Sequence, residues 1–363
     1  MTFSIYRHTR SARLTVTVPG GQKVVVENMI GDTGFSLEFE VRRTMDESPG
    51  EFTVVAYNLP PDALAAIEHA QVKRVDDIDA LLVGQNLTTS SVAADGSDAL
   101  AAGWPIVELE AGYDGTVSRV FRAIGAKIRS DKSDGLTTRT EIVALENLDG
   151  PLLGLPSAVF PAGSTVFEVV DYLRRVAGLG TGNLSFESLT AIIGLAKLDS
   201  PYAVSGGDAL KRLKQVLEWM PVRWFVDDRE IWICGRDDVP AILPPVSARA
   251  SVKTMAPRSA PAYVPGEPEE PDLILARPVR VDGGRVQVEC LLCPRILPGR
   301  LVRLSESGLA LALQGLSPTE TQAALAQVPP GLYRCDEVSH RGATSGADWT
   351  TAMTLRPGVA TGA

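Results

Sequence analysis

A proline-rich segment in the last third of the chain is the feature that most restricts how this sequence can fold. Eight prolines fall within the 32 residues from Pro240 to Pro271, and the segment also contains Glu267-Pro-Glu-Glu-Pro271. Proline fixes φ and has no backbone N–H to donate, so neither a helix nor a central strand can run through such a segment. We therefore predict a proline-rich linker over residues 240–272, with folded structure on both sides of it.

Residues 1–150 carry the pattern of antiparallel strands. Phe35–Val41 alternates apolar and polar residues, and Glu51–Tyr57 is its expected partner across a turn at Glu47–Gly50. Asp114-Gly115 is a strong hairpin signal. Further strands are predicted at residues 14–18, 23–26, 106–111, 118–128 and 138–145, with a turn at Asp134-Gly135 and a short helix over residues 62–69. Many short strands with one apolar face predict a first β-barrel domain over residues 1–150.

Residues 151–239 change to a mixed pattern. Thr165 and Glu168 form a capping box at the start of a helix that Gly178 can end. A second helix begins near Ser205 and carries a leucine stripe that runs to Met220. A tight hairpin follows at residues 224–233. The segment is therefore predicted to be a small α+β domain.

Residues 273–363 return to strands. Arg285–Glu289 alternates, Leu301–Leu304 follows a Pro-Gly turn, and residues 332–338 and 350–355 complete the set. Ser317 is the expected N-cap of a short helix, with Pro318 at its first position. The predicted fold class is α+β, mostly β, with two antiparallel β-barrel domains that flank the small α+β domain.

The charge balance favours some partners over others. The sequence has 35 Lys and Arg against 44 Asp and Glu, a net charge of −9. A sequence-independent nucleic-acid binder needs a basic footprint, so we expect no such binding. No apolar run reaches the length of a membrane span, and the first residues lack the apolar core of a signal peptide, so we expect folding in a cytoplasm.

Candidate reactive groups are few. Cys290-Leu-Leu-Cys293 could bind a metal together with Cys335, but a zinc site needs four ligands and Cys234 stands alone, so packed thiols are the favoured interpretation. A triad of a serine with His340 and Asp336 is conceivable, yet no G-x-S-x-G motif accompanies it.

Three further patterns involve glycines, a pair of glutamates and the remaining histidines. Gly178-Leu-Gly180-Thr-Gly182 follows a helix and lacks the lysine of a phosphate loop, so we predict a flexible helix exit. Glu38 and Glu40 share one strand face and are expected to face solvent or a partner. The other histidines, His8 and His69, form no close pair. No catalytic, cofactor-binding or metal-binding residue is assigned, which favours an assembly component over an enzyme.

An ordered series of segments resembles the baseplate hub proteins of contractile-tailed phages, the T-even hub or late control protein D-like family. The segments cover most of the chain in the family's order: Phe35–Thr44 with Phe52–Leu59, Glu108–Tyr113 with Val120–Gly125, Phe160–Phe167, Ala203–Leu210 with Trp224–Asp228, Leu291–Arg300, Gly331–Cys335, Val338–Gly342 and Asp348–Thr351. The sequence departs from the family at Cys293, where asparagine is usual, and at Ala343-Thr344, where aspartate follows the glycine.

The resemblance implies a structural hub that forms a homotrimer. Each subunit would contribute two tube-like barrels to a pseudo-sixfold ring, which adapts the hexameric tail tube to the trimeric spike. The implied partners are the tail tube or distal tail protein and the spike protein, with the tape-measure C-terminus and baseplate wedge proteins as further candidates. DNA would pass through the channel without specific binding, and acidic residues would line at least part of the wall.

The implied location is the baseplate of a virion tail assembled in a host bacterial cytoplasm. Two alternatives stay open. One is a tail-tip enzyme, either a peptidoglycan hydrolase or a peptidase, which would need convergent carboxylates or a histidine–nucleophile pair. The other is a metal-binding tail-tip protein that uses Cys290, Cys293 and Cys335.

Overall fold

A computed structural model describes most of the chain. The described residues are 9–18, 21–28, 36–45, 51–68, 105–132, 137–145, 156–182, 184, 186–206, 209–227, 230–235, 271, 273–346 and 348–357. The fold is α+β and mostly β, as predicted, and its main sheet is antiparallel. The predicted linker, apart from Pro271, and the turns at 47–50 and Asp134-Gly135 lie outside the described residues, as do His8 and His69.

In the described part of the first β unit there are seven strands and one short helix, and the predicted strands are confirmed. Asp114 and Gly115 join β5 to β6 with φ values of 53° and 78°, which is the geometry of the predicted tight hairpin. The strands are β1 (Arg10–Thr17), β2 (Lys23–Asn28), β3 (Ser36–Thr44), β4 (Glu51–Tyr57), β5 (Ile106–Tyr113), β6 (Thr116–Asp131) and β7 (Arg139–Leu145), and α1 spans residues 61–68.

The α+β segment over residues 156–235, called the insert below, lies between the two β units in sequence. It has its own apolar core, which includes Leu173, Leu213 and Trp224. Thr165 and Glu168 form the predicted capping box. The second predicted helix and the tight hairpin are also present, whereas α3 and the β8–β9 pair were not predicted. Its elements are β8 (Ser157–Phe160), α2 (Val166–Val176), α3 (Phe186–Ile193), β9 (Tyr202–Ser205), α4 (Ala209–Glu218), β10 (Val222–Asp227) and β11 (Glu230–Gly235).

The second β unit has a separate core that includes Val288, Tyr333 and Met353. Ser317 caps the predicted helix and forms a full capping box with Glu320. A further helix, α5, was not predicted. The elements are β12 (Val279–Arg280), β13 (Val286–Leu291), β14 (Leu301–Leu304), α5 (Glu306–Ala312), α6 (Pro318–Gln327), β15 (Gly331–Ala343) and β16 (Trp349–Pro357).

The two β units share one sheet, which the sequence did not predict. The strand order is β12-β13-β16-β15-β3-β4-β7-β6-β5-β1-β2, and β14 pairs with β15. The junction is the antiparallel pairing of β3 with β15, in register from Glu38 opposite Ala343 to Thr44 opposite Glu337. We call this pairing and the side chains packed on it the seam. The predicted domain limits at residues 150, 239 and 272 fall outside the described residues and stay predictions.

Candidate functional site

The seam's solvent-facing side is held by cross-strand ion pairs. Glu40 accepts two hydrogen bonds from Arg341, the shorter 2.7 Å long, and Arg42 donates to Glu337 at 2.8 Å. Glu38 accepts from the hydroxyl of Tyr57 at 3.1 Å. Burial and the bond to Glu38 raise the pKa of Tyr57. Glu38 and Glu40 are therefore each bonded to a different partner, and their carboxylates do not form an acid pair around a shared site.

The buried side of the seam is closed by aromatic rings around a glycine. Phe39 and Trp349 meet edge to face, with ring centroids 5.5 Å apart. Gly342 lies beneath them, and a Cβ at that position would come within 2.3 Å of the Phe39 ring and 2.9 Å of Trp349. These distances are well inside van der Waals contact, so only glycine fits between the rings without displacing them.

His340 lies in the middle of β15 and is completely buried. The backbone N–H of Cys293 donates to Thr351 Oγ1 at 2.8 Å, and the same hydroxyl is hydrogen-bonded to His340 Nδ1 at 2.9 Å. Burial and the nearby charge of Arg43 lower the pKa of His340 to about 3. A hydrogen bond with the backbone of Ile296 acts in the opposite direction and is the smaller effect. His340 is therefore a neutral residue of the buried core.

Asp336 does not serve His340 as a triad partner. A bulge between Cys335 and Glu337 interrupts the pairing of β15 with β16, and Asp336 occupies the bulge. Its carboxylate contacts three arginines: Arg223 at 2.9 Å, Arg334 at 3.0 Å and Arg356 at 2.9 Å. Burial alone would raise the pKa of Asp336, but the charges of Arg223, Arg334 and Arg356 outweigh it and lower that pKa.

The same region anchors the insert to both β units. Arg223 belongs to β10 of the insert, so its ion pair with Asp336 links the insert to the second β unit. Phe225 and Trp232 stack with ring centroids 6.3 Å apart and form a small buried cluster with Met45 of the first β unit. A Cβ on Gly299 would lie 2.7 Å from the Phe225 ring, which shows how closely the 291–300 loop approaches the insert.

The cysteines of the C-x-x-C segment are core residues. Cys290, Cys293 and Cys335 are all buried in the core of the second β unit and form no disulfide. Burial raises the pKa of the Cys335 thiol, which donates to the carbonyl of Glu337. Within the described ranges, no group of three His, Cys, Asp or Glu side chains is arranged to hold a metal ion.

The glycine-rich segment after α2 packs on the hairpin of the insert. Gly178 has a φ of 69° and ends the helix as predicted. The carbonyl of Gly180 accepts from the backbone N–H of Ile231, and a Cβ on Gly182 would lie 2.1 Å from the carbonyl oxygen of Ile231. The glycines therefore allow a close backbone approach.

No helix among the described residues is long and apolar enough to cross a membrane.

The chain is similar to solved structures of other proteins. No protein-family model matches it, and no curated protein matches it. Among solved structures, the 43 kDa tail protein of prophage MuSo2 from Shewanella oneidensis is 9% identical with a TM-score of 0.48, and the alignment covers 95% of this chain and 98% of that one. A tail protein from Neisseria meningitidis MC58 is 11% identical with a TM-score of 0.43, over 95% and 96% of the two chains.

A third similar structure comes from a secretion machine. It is an E. coli component of the type VI secretion system, described as structurally similar to the T4 bacteriophage tail proteins gp27 and gp5. Its identity to this chain is 10% and its TM-score is 0.44, over 90% of this chain and 74% of that one.

Proposed function

We propose that this protein is a structural baseplate hub of a phage tail and has no catalytic role. In this proposal it forms a trimeric, pseudo-sixfold ring that adapts a hexameric tail tube to a trimeric spike and leaves a channel for DNA. The observation that carries the proposal is the seam. The segments that resemble hub proteins contribute Phe39, Cys293, His340, Gly342 and Trp349 to it, and it joins the two β units in one sheet.

The joint suits a ring component because it fixes two β units at one distance and one angle. A continuous ladder of backbone hydrogen bonds resists bending far more than a flexible linker does. Three copies arranged about a threefold axis would then present six β units at regular spacing. Closed rings of this kind arise when one surface of a subunit binds a different surface of the next copy.

The paired charges on the solvent-facing side of the first β unit support the proposal of a channel through which DNA can pass. Arg13 on β1 pairs with Glu27 on β2 and with Glu110 on β5. Arg119 on β6 lies opposite Glu110 in the strand register. Basic side chains engaged by carboxylates are poorly placed to bind phosphates. A channel lined by this face would carry paired charges of both signs, in contrast to the acidic wall suggested by the net charge of −9.

The experiment that tests the proposal is size-exclusion chromatography with light scattering. A trimer of the 38.7 kDa chain has a mass of about 116 kDa, three times the monomer. Negative-stain images of that peak should show a ring with a central opening. A strict monomer at every concentration tested, together with no binding to the spike or tube proteins of the same particle, would refute the hub.

A further inference from the structure

The insert exposes a tryptophan in a fixed position. Trp219 directly follows α4 and is 66% exposed, whereas Trp224, Trp232 and Trp349 are buried. Its ring meets that of Tyr202 edge to face, with centroids 5.7 Å apart. A large aromatic group that is held in place and left in solvent is typical of a surface that buries it against a partner.

A basic stripe lies beside this tryptophan. Arg212 and Gln215 lie one turn apart on α4, and Arg212 donates to Gln215 at 3.2 Å. Trp219, the first residue after the helix, continues the same spacing. Lys211 is also exposed. The charged side chains of α4 are Lys211, Arg212, Lys214 and Glu218, a net charge of +2 in a chain whose net charge is −9, so the stripe is a local reversal of sign. It favours a partner with carboxylates.

The stripe adjoins a two-stranded ribbon with an available edge. Tyr202 begins β9, which among the described residues hydrogen-bonds to β8 and to no other strand. The outer face of the ribbon is exposed, and Val159 on β8 has 72% of its surface in solvent. An edge strand with exposed apolar neighbours is a template to which an extended peptide can add as a further strand.

We propose that this surface, made of Trp219, Tyr202, Arg212, Lys211 and the edge of β9, docks an extended acidic segment of a partner protein. The segment adds to the edge of β9. One aromatic or aliphatic side chain of the segment rests against Trp219, and its carboxylates face Arg212 and Lys211. The apolar anchor would supply most of the affinity, and the charges would set the sign of the partner and the association rate. This inference does not depend on the hub proposal.

A random copolymer of glutamate and tyrosine is a suitable probe, since it offers carboxylates and aromatic anchors on an extended chain. The full-length protein should bind the fluorescently labelled copolymer in an anisotropy titration, more tightly at low salt than at high salt. The variants Trp219→Ala and Arg212→Glu should each weaken binding by at least about tenfold. Val25→Ala is the matched control, because Val25 is a half-exposed apolar residue on β2, and its affinity should be unchanged.

Several outcomes would overturn the proposal. Equal affinity for polyglutamate, which has no aromatic rings, would show that the aromatic anchor is not needed. Equal affinity for a lysine–tyrosine copolymer would show that the carboxylates are not needed. Wild-type affinity in a folded Trp219→Ala variant would remove the surface itself. Hydrogen exchange should slow at residues 202–205 when the copolymer binds, and no change there would refute strand addition. If a chitin oligosaccharide binds in a Trp219-dependent way and the copolymer does not, the surface is a glycan platform.

Discussion

Mild acid should destabilise this protein through His340. In the unfolded chain the imidazole titrates near its ordinary pKa of about 6.5, whereas burial lowers the pKa of His340 in the folded state to about 3. The unfolded state therefore binds the proton first as the pH falls. The stability conferred by a neutral His340 is complete above about pH 6.5 and declines progressively towards pH 3.

The size of the effect follows from the separation of the two pKa values. Each pH unit below the unfolded pKa costs about 1.4 kcal/mol, so at about pH 5 the folded state loses roughly 2 kcal/mol relative to pH 7.5. The lowered pKa of Asp336 has the same sign, but its stabilisation is lost only as the pH falls below the ordinary carboxyl pKa of about 4. The window between about pH 4.5 and 6.5 therefore isolates histidine.

Urea unfolding of wild type and of His340→Asn, at one protein concentration and several pH values, measures the contribution of His340 to the pH dependence of stability. Asparagine can still hydrogen-bond to the Thr351 hydroxyl, as donor or acceptor, but does not titrate. The variant should be less stable at pH 7.5 by about 1–3 kcal/mol, because it leaves a cavity. It should also lose about 2 kcal/mol less than wild type on going to about pH 5. His8 and His69 are common to both proteins, so parallel losses would refute the buried neutral histidine.

Two further predictions concern the seam and the bulge. Gly342→Ala places a methyl group 2.3 Å from the Phe39 ring and should lower stability by about 1–3 kcal/mol in thermal melts, so a wild-type melting temperature would contradict the close packing. Asp336→Asn leaves its arginines without a counter-charge and should cost about 3–5 kcal/mol. The exposed Glu40→Gln control should cost under about 1 kcal/mol, and equal losses would show that Asp336 is not the centre of the cluster.

Local patterns predicted the elements of this fold well, because their causes are local. Alternation on β3 places apolar side chains on one face, and capping boxes at Thr165 and Ser317 fix where two helices start. The pairs β8–β9 and β3–β15 escaped prediction for different reasons. The first has strands of only four residues. The second joins residues about 300 positions apart, and no local pattern encodes the choice of a distant partner.

The roles of His340 and Asp336 were missed because each depends on partners from other strands. One signal was present for His340, since polar Ser339 and Arg341 flank it while Val338, two positions earlier, is apolar, which places His340 on the buried side of its strand. Asp336 gave no such signal. Its position results from a bulge in β15, which the sequence pattern does not reveal, and one of its arginines belongs to the insert.

The segments that resemble hub proteins contact one another in the folded chain. Tyr113 accepts a hydrogen bond from the backbone of Leu292, and Cys293 donates to Thr351, so three of the resembling segments meet one another. Gly299 in the same loop lies against Phe225 of a fourth. In the proposed hub, residues that hold two β units and an insert at fixed angles would be constrained by fit, since a ring closes only if every copy has the same shape. In this interpretation the seam determines the geometry of the assembly, and the exposed surfaces determine its partners.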